Sequence, residues 1–154
     1  MGSEMCIRDR YAYKSNVNVV IEYCLTDLED VIRDRTILLA PEEVKCCLKM
    51  ILDGIEACHR KWILHRDLKP TNILIGSDGN LKIADFGLAR PHASPNGRLT
   101  YQVITRWYRP PELLYAARSY GPSVDMWSVG CIFAEMMLRV PYMTGDSDID
   151  RYWY

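Results

Sequence analysis

One loop constrains this chain more than any other part of it: residues 65–72 read HRDLKPTN. The loop holds a carboxylate, a lysine and an amide within a few residues. Asp67 can accept or orient the proton of a hydroxyl group, and Lys69 is a compact cation that can reach a phosphate. Asn72 offers a neutral oxygen to Mg²⁺, which prefers oxygen ligands. A single loop aspartate is usually a turn former, whereas this ordered set predicts a site for phosphate chemistry.

A second acid, Asp85, stands in the tripeptide DFG. Between the two acids lie the β-rich runs 73–75 and 81–83, which flank a Gly/Asp turn and predict a hairpin. The hairpin brings Asp67 and Asp85 to one edge of a small sheet. The tripeptide resembles a signature of the protein kinases, and that resemblance implies that Asp85 binds the magnesium ion that bridges nucleotide phosphates. The two motifs together are far more specific than either one alone.

Charge and composition exclude several classes of protein. The formal net charge of -1 disfavours direct nucleic-acid binding, which requires a basic excess. No apolar run has membrane-spanning length, since the best candidate, 129–138, is interrupted by Glu135. Six cysteines are present without any CxxC pair. Buried thiols in a reducing compartment, the nucleus or the cytoplasm or both, are the expectation.

The periodicity of the sequence predicts the main elements. We expect a strand at 17–21 and a short helix that starts at a capping box formed by Thr26 and Glu29. The longest helix is expected at 41–61, with Pro41 in its first turn. Another helix, apolar on most faces and therefore buried, is expected at 123–139. Residues 1–10 are interpreted as a non-native or disordered leader, and 151–154 as an aberrant tail.

These motifs resemble those of the protein kinases, and the resemblance is greatest to the C-terminal lobe of a cyclin-dependent kinase. It covers roughly residues 16–150 and includes the segment TRWYRPPE at 105–112. It implies a protein-kinase-like fold: a mainly α C-terminal lobe with short β-hairpins, and an N-terminal β lobe that is largely absent. The chain has no GxGxxG and no VAIK-like stretch. Residues 11–150 are accordingly expected to form a partial protein kinase domain.

The same resemblance assigns an ATP site, with Mg²⁺ as the second cofactor. Ile21 would be the gatekeeper of the hinge, and backbone groups of Glu22 and Cys24 would face adenine. Asp27 would approach the ribose. Leu74 would form the floor beneath the base, and it is equally an ordinary hairpin core residue.

The resemblance also assigns a regulatory segment between DFG and PPE. Thr100 would be the activating phosphorylation site, with Arg66 and Arg90 in the basic cluster that receives its phosphate. Ser94, before a proline, is a second candidate regulatory position. Thr105 would bond near Asp67 and help to form the peptide site.

Two acids have structural roles in this interpretation. Asp125 would anchor the catalytic loop from within a buried helix, although it is also compatible with an exposed first-turn acid stabilised by the helix dipole. Glu112 would pair with an arginine beyond residue 154. Pro110 departs from the pattern, because most relatives carry alanine there.

Within the family the sequence looks most like a CDK-activating kinase. That subtype phosphorylates cell-cycle kinases and the RNA polymerase II tail and has an H-type cyclin as partner. The cell-cycle-related kinase, with other substrates, is a rival. A catalytically incomplete fragment that acts only as a binding module is the alternative from another class. A small-molecule phosphotransferase would not account for TRWYRPPE.

Overall fold

The computed structural model describes residues 7–13, 16–92 and 99–145. Ser94 and the predicted tail at 151–154 lie outside the described residues. Within the described residues the strands are β1 (Ile7–Tyr13), β2 (Asn16–Ile21), β3 (Thr26–Asp27), β4 (Ile63–Leu64), β5 (Ile73–Ile75), β6 (Leu81–Ile83) and β7 (Arg90–Pro91). The α-helices are α1 (Leu28–Arg33), α2 (Pro41–Arg60), α3 (Pro111–Leu114) and α4 (Ser123–Leu138). Single 3₁₀ turns occur at Pro70–Asn72, Phe86–Leu88 and Arg106–Tyr108.

The described strands form three small antiparallel sheets: β1 with β2, β3 with β5 and β6, and β4 with β7. The predicted hairpin is β5–β6, in which Leu74 lies opposite Lys82. Strand β1 includes residues 7–10, although the sequence there shows no strand periodicity. Pairing with the β-branched strand β2 compensates for that weak pattern. Whether these residues are a leader remains a prediction.

The two long helices begin and end within one residue of their predicted bounds. Pro41 opens α2, and the Glu43 carboxylate accepts a hydrogen bond of 2.8 Å from the N–H of Ala40. Helix α1 begins differently from the prediction. Its N-cap is Asp27, whose Oδ1 accepts from the N–H of Asp30 at 3.0 Å. A carboxylate three residues before that donor caps it directly, so the Thr26–Glu29 capping box does not form.

The core lies where α2 packs against α4 and the β5–β6 hairpin. Its fully buried members include Leu28, Ile32, Ile51, Ile55, Leu68, Ile73, Leu113, Val124 and Ile132. Helix α4 is buried less completely than its composition predicts, since Met126, Phe133 and Met137 are exposed. None of the described helices is both long and apolar enough to cross a membrane.

Arg139 joins the end of α4 to the end of α1. It stands in the left-handed conformation at the C-cap of α4, with a φ of 62°. Its guanidinium donates to the carbonyls of Val31, Ile32, Asp34 and Ile37. Carbonyls in the last turn of a helix have no partner within it, so Arg139 supplies hydrogen bonds that α1 lacks.

A buried carboxyl group also lies on α4. Glu135 accepts a hydrogen bond of 2.8 Å from the hydroxyl of Tyr108 and is almost fully buried. Burial raises the pKa of Glu135, the bond from Tyr108 opposes this, and the charge of Glu29 adds to it. Burial and the bond to Glu135 likewise raise the pKa of Tyr108. The fold therefore favours the neutral form of this carboxyl group.

This arrangement predicts a pH-dependent stability. A folded-state pKa above the ordinary value of 4.5 means that the folded chain binds the proton more tightly than the unfolded chain. The contribution of Glu135 is therefore fully present below the unfolded-state pKa and is lost as the pH rises through the folded-state pKa. We expect Glu135→Gln, which keeps an acceptor for Tyr108, to raise the free energy of unfolding at pH 7 by about 1 kcal/mol.

Urea denaturation at pH 4 and pH 7 measures this effect. Glu56→Gln, on the exposed face of α2, is the matched control and should change stability little at either pH. A Glu135→Gln variant less stable than the parent at pH 7 would contradict the prediction.

Candidate active site

The loop at 65–69 is attached to helix α4 through Asp125. The carboxylate is fully buried, and its two oxygens accept from the backbone N–H groups of His65 and Arg66, each at 2.9 Å. An exposed first-turn acid is therefore excluded. Arg66 has a φ of 66°, a costly conformation for a non-glycine residue. The two bonds from Asp125 hold the backbone in that conformation.

His65 connects the loop to the strand that precedes DFG. Its Nε2 lies 2.9 Å from the carbonyl of Ala84, and its Nδ1 accepts from the N–H of Asp67 at 3.3 Å. Burial lowers the pKa of His65. A neutral ring with its proton on Nε2 satisfies both bonds. The ring also packs edge-on against Phe86, with centroids 4.8 Å apart.

Asp67 is the centre of a compact polar cluster. Its Oδ1 accepts from the hydroxyl of Thr105 at 2.9 Å and from the backbone N–H of Thr105 at 3.2 Å. Lys69 Nζ lies 3.1 Å from Asp67 Oδ2 and 3.3 Å from Thr105 Oγ1. The preceding Ile104 has a φ of 64°, which is rare for a β-branched residue. These contacts bring the predicted base, the predicted phosphate cation and the predicted peptide-site threonine together.

Asn72 and Asp85 have the chemistry of a magnesium site. The amide nitrogen of Asn72 donates to the carbonyl and the Oδ2 of Asp67, at 2.8 and 3.3 Å, so its oxygen is the group left to face a cation. The N–H of Ala84 donates to the carbonyl of Asn72 at 2.9 Å, which places Asp85 one residue away. Asp85 is exposed and stands in the left-handed region. An amide oxygen and a carboxylate are hard oxygen donors, and this donor set fits Mg²⁺.

The predicted hinge residues lie along one side of the β5–β6 hairpin. Ile21 is 45% exposed, and Glu22 and Cys24 are half-buried. Asp27 lies opposite Leu74 in the β3–β5 pair, so the predicted ribose and base residues are neighbours. The carboxylate of Asp27 is also the cap of α1. Burial, followed by the nearby charge of Glu22, raises the pKa of the Cys24 thiol.

The predicted phosphate-receiving residues line one cavity of about 270 Å³, together with Thr100. Arg66 donates from Nε to the carbonyl of Leu88 at 2.8 Å and from Nη1 to the hydroxyl of Tyr120 at 2.9 Å. That hydroxyl donates to the carbonyl of Thr100 at 2.6 Å. Arg90 is exposed on the same cavity. The structure thus brings Arg66, Arg90 and Thr100 together.

Glu112 and Pro110 lie at the start of α3. The carbonyl of Pro110 accepts from the N–H groups of Leu113 and Leu114, at 3.1 and 3.3 Å, and the proline is buried. A proline fits this position because its own N–H is not needed there. Glu112 is half-buried in the first turn, and its pairing with a distant arginine remains a prediction.

Three residues that support the site were not predicted from the sequence. His59 Nε2 lies 2.8 Å from Asp125 Oδ2, Tyr120 bonds Arg66, and Arg109 donates to the carbonyls of Val103 and Ile104. Arg109 stands within TRWYRPPE and could have been singled out there. His59 and Tyr120 carry no local signal, because their partners are far away in the chain.

The Pkinase family, described as protein kinase domain, matches residues 5–153. The chain belongs to this family. The curated relatives that it resembles are cyclin-dependent kinases: it is 57% identical to cyclin-dependent kinase 7 of Dictyostelium discoideum and 54% identical to that of Xenopus laevis, in each case over 93% of this chain. It is 52% identical to the serine/threonine-protein kinase KIN28 of Saccharomyces cerevisiae over the same share. The chain spans 40%, 41% and 47% of those three relatives, respectively.

Solved structures agree with the sequence relatives. The chain superimposes on a subunit of the CAK complex from Chaetomium thermophilum bound to ATP-gamma-S with a TM-score of 0.93 at 45% identity, over 97% of this chain and 47% of the other. A chain of the yeast RNA Pol II CTD kinase CTDK-1 complex gives a TM-score of 0.90 at 36% identity, over 98% of this chain and 50% of the other. The predicted kinase fold is confirmed.

Proposed function

We propose that this chain is part of an ATP-dependent serine/threonine protein kinase of the cyclin-dependent type. The observation that carries the proposal is the cluster of Asp67, Lys69 and Thr105, joined through Asn72 to Ala84, the residue that precedes Asp85. Phosphoryl transfer depends mostly on positioning and electrostatic stabilisation. Asp67 would orient and accept the proton of the substrate hydroxyl, and Lys69 would stabilise negative charge on the phosphate.

The cofactors are ATP and Mg²⁺. Asn72 and Asp85 would hold the metal, and the backbone of Glu22 and Cys24 would bind adenine, with Ile21, Asp27 and Leu74 around the base and ribose. The metal neutralises charge on the phosphates when it is bound. Asp67 remains available for the hydroxyl group, since Thr105 and Lys69 orient its carboxylate from two sides.

The similarity to cyclin-dependent kinase 7 and to subunits of two kinase complexes supports a CDK-activating subtype. We expect a cyclin partner of the H type and, as substrates, cell-cycle kinases or the RNA polymerase II tail. For such substrates we expect the protein in the nucleus, the cytoplasm or both. We also infer that residues 11–150 form the kinase portion.

The test is phosphate transfer from ATP to an RNA polymerase II tail peptide by the protein combined with its cyclin. Asp85→Asn should abolish the transfer, because it removes the charged metal ligand. Asp78→Asn, in the exposed β5–β6 turn, is the matched control and should retain activity. Full activity after Asp85→Asn would overturn the assignment.

A binding module is the second candidate. In this case the 154-residue chain would bind partners without transferring phosphate. Phosphorylation of the peptide by the purified chain alone, abolished by Asp85→Asn, would rule it out.

The cavity around Thr100 supports regulation by phosphorylation. A phosphate on Thr100 would place about two negative charges beside Arg66 and Arg90, with charge-assisted hydrogen bonds as the result. We expect phosphorylation to raise activity about tenfold, the equivalent of one such bond. The measurement compares the activity of the phosphorylated protein with that of Thr100→Ala. In phosphorylated protein, Arg90→Ala should remove most of the gain in activity. Equal activity of all three forms would contradict this prediction.

A further inference from the structure

Lys82 is a largely buried charged residue in β6, an edge strand of its three-stranded sheet. It stands between Leu81 and Ile83 in β6 and is only 9% exposed. Lysine is seldom buried to this extent unless its charge is paired. Lys82 Nζ lies 2.6 Å from Glu22 Oε1, and Asp78 Oδ2 is farther away at 3.8 Å. The bond to Glu22 raises the pKa of Lys82, so the ammonium is charged at neutral pH.

The hairpin leaves space for this lysine at Gly76. A Cβ atom at position 76 would lie 2.8 Å from Lys82 Cε and 2.6 Å from Asp78 Oδ1. Both distances are below van der Waals contact, so a side chain there would displace the end of the lysine. Glycine at this position lets the ammonium reach Glu22.

The ion pair bridges the hinge and the hairpin. Glu22 directly follows β2, and the N–H of Leu25 donates to the carbonyl of Ile75 at 3.1 Å. The segment 22–25 is thus attached to the hairpin at both ends, by an ion pair at Glu22 and a backbone bond at Leu25. The backbone of Glu22 and Cys24, which would bind adenine, lies in this segment.

We propose that Lys82 is a positioning residue: its ion pair with Glu22 holds the hinge segment 22–25 in the conformation that binds the adenine of a nucleotide. The inference rests on the proposed function for the identity of the ligand. It gives the side chain of Glu22 a role separate from the backbone contacts. Lys82 touches none of the reacting groups, so it acts on binding of the nucleotide and leaves the transfer step unchanged.

The first test uses the 154-residue chain and needs no catalysis. Glu22→Gln, which keeps the shape of the side chain, and Lys82→Met should each speed hydrogen exchange of the Leu25 amide, which donates to the Ile75 carbonyl. We expect about a fivefold effect, near the upper end of the range for ion pairs that keep some solvent exposure. The charge-swapped double variant, Glu22→Lys with Lys82→Glu, restores the ion pair and should slow the hydrogen exchange of this amide again. Lys49→Met is the matched control: it breaks the exposed pair with Asp53, also 2.6 Å long, and should leave the hinge unchanged.

Unchanged hydrogen exchange of the Leu25 amide in both single variants would overturn the proposal. So would a charge-swapped double variant whose Leu25 amide exchanges no more slowly than in either single variant. Glu22→Gln leaves the side-chain volume unchanged. If Lys82→Met fails to fold, Glu22→Gln alone therefore still tests the proposal.

The second test measures the KM for ATP and kcat in the cyclin-bound protein. Glu22→Gln should raise the KM for ATP about fivefold with kcat unchanged, and an unchanged KM would overturn the role in nucleotide binding. Absence of phosphate transfer by the unaltered protein would instead refute the proposed function, whereas the exchange experiment would still decide whether the pair holds the hinge.

Discussion

Asp67→Asn should lower kcat for peptide phosphorylation by about 10³-fold, the usual contribution of a positioned general base. The amide keeps the size of the carboxylate and can still accept from Thr105, so the loop should retain its conformation. It cannot accept a proton from the substrate hydroxyl, and its interaction with Lys69 loses the ionic part. The measurement is the initial rate of phosphate transfer at saturating ATP by the cyclin-bound protein.

The control for this variant is Asp53→Asn on the exposed face of α2. The Asp53 carboxylate forms an ion pair with Lys49, one helical turn earlier. It should retain full activity. If Asp67→Asn retains more than a tenth of the parent rate with an unchanged circular dichroism spectrum, Asp67 is not the base.

Asp125→Ala should have the largest effect on stability. Removal of the carboxylate leaves the backbone N–H groups of His65 and Arg66 buried without an acceptor, and it also removes the partner of His59. Unsatisfied buried donors cost about 1–3 kcal/mol each. We therefore expect a loss of about 3 kcal/mol or more in the free energy of unfolding, measured by urea denaturation.

Asp125→Asn separates hydrogen bonding from charge, because its amide oxygen can replace one of the two acceptors. It should cost less than Asp125→Ala. Asp30→Ala, at an exposed position of α1, is the surface comparison and should cost less than either. A loss below 1 kcal/mol for Asp125→Ala would contradict the anchoring role.

Elements with a long periodic pattern were predictable from the sequence. Helix α2 has a regular apolar stripe and a proline at its start, and its observed end, Arg60, lies one residue from the prediction. The β5–β6 hairpin carries a strong turn signal. In contrast, β4 and β7 were not predicted. Each has two residues, too few for a periodicity, and the two are far apart in the sequence.

The residues of the site also differ in whether the sequence predicts them. Asp67, Asn72 and Asp85 follow from short motifs, because their chemistry lies within a few residues. The partners of the motifs depend on distant segments: His59 meets Asp125 across 66 positions of sequence, and Lys82 meets Glu22 across 60. Local patterns contain no information on such pairs, so the tertiary structure was needed to find them.

The bonds of Arg139 to α1 and to the turn that follows it carry a consequence for the order of folding. They join residues 102 to 108 positions apart, and closing so long a loop is entropically costly. Contacts of such high sequence separation form slowly. On the ribosome, where chains emerge from the N-terminus, the last carbonyls of α1 must bond water until more than one hundred further residues have been synthesised. The last carbonyls of α1 therefore gain their hydrogen bonds from Arg139 only when α4 docks, although α1 is synthesised early.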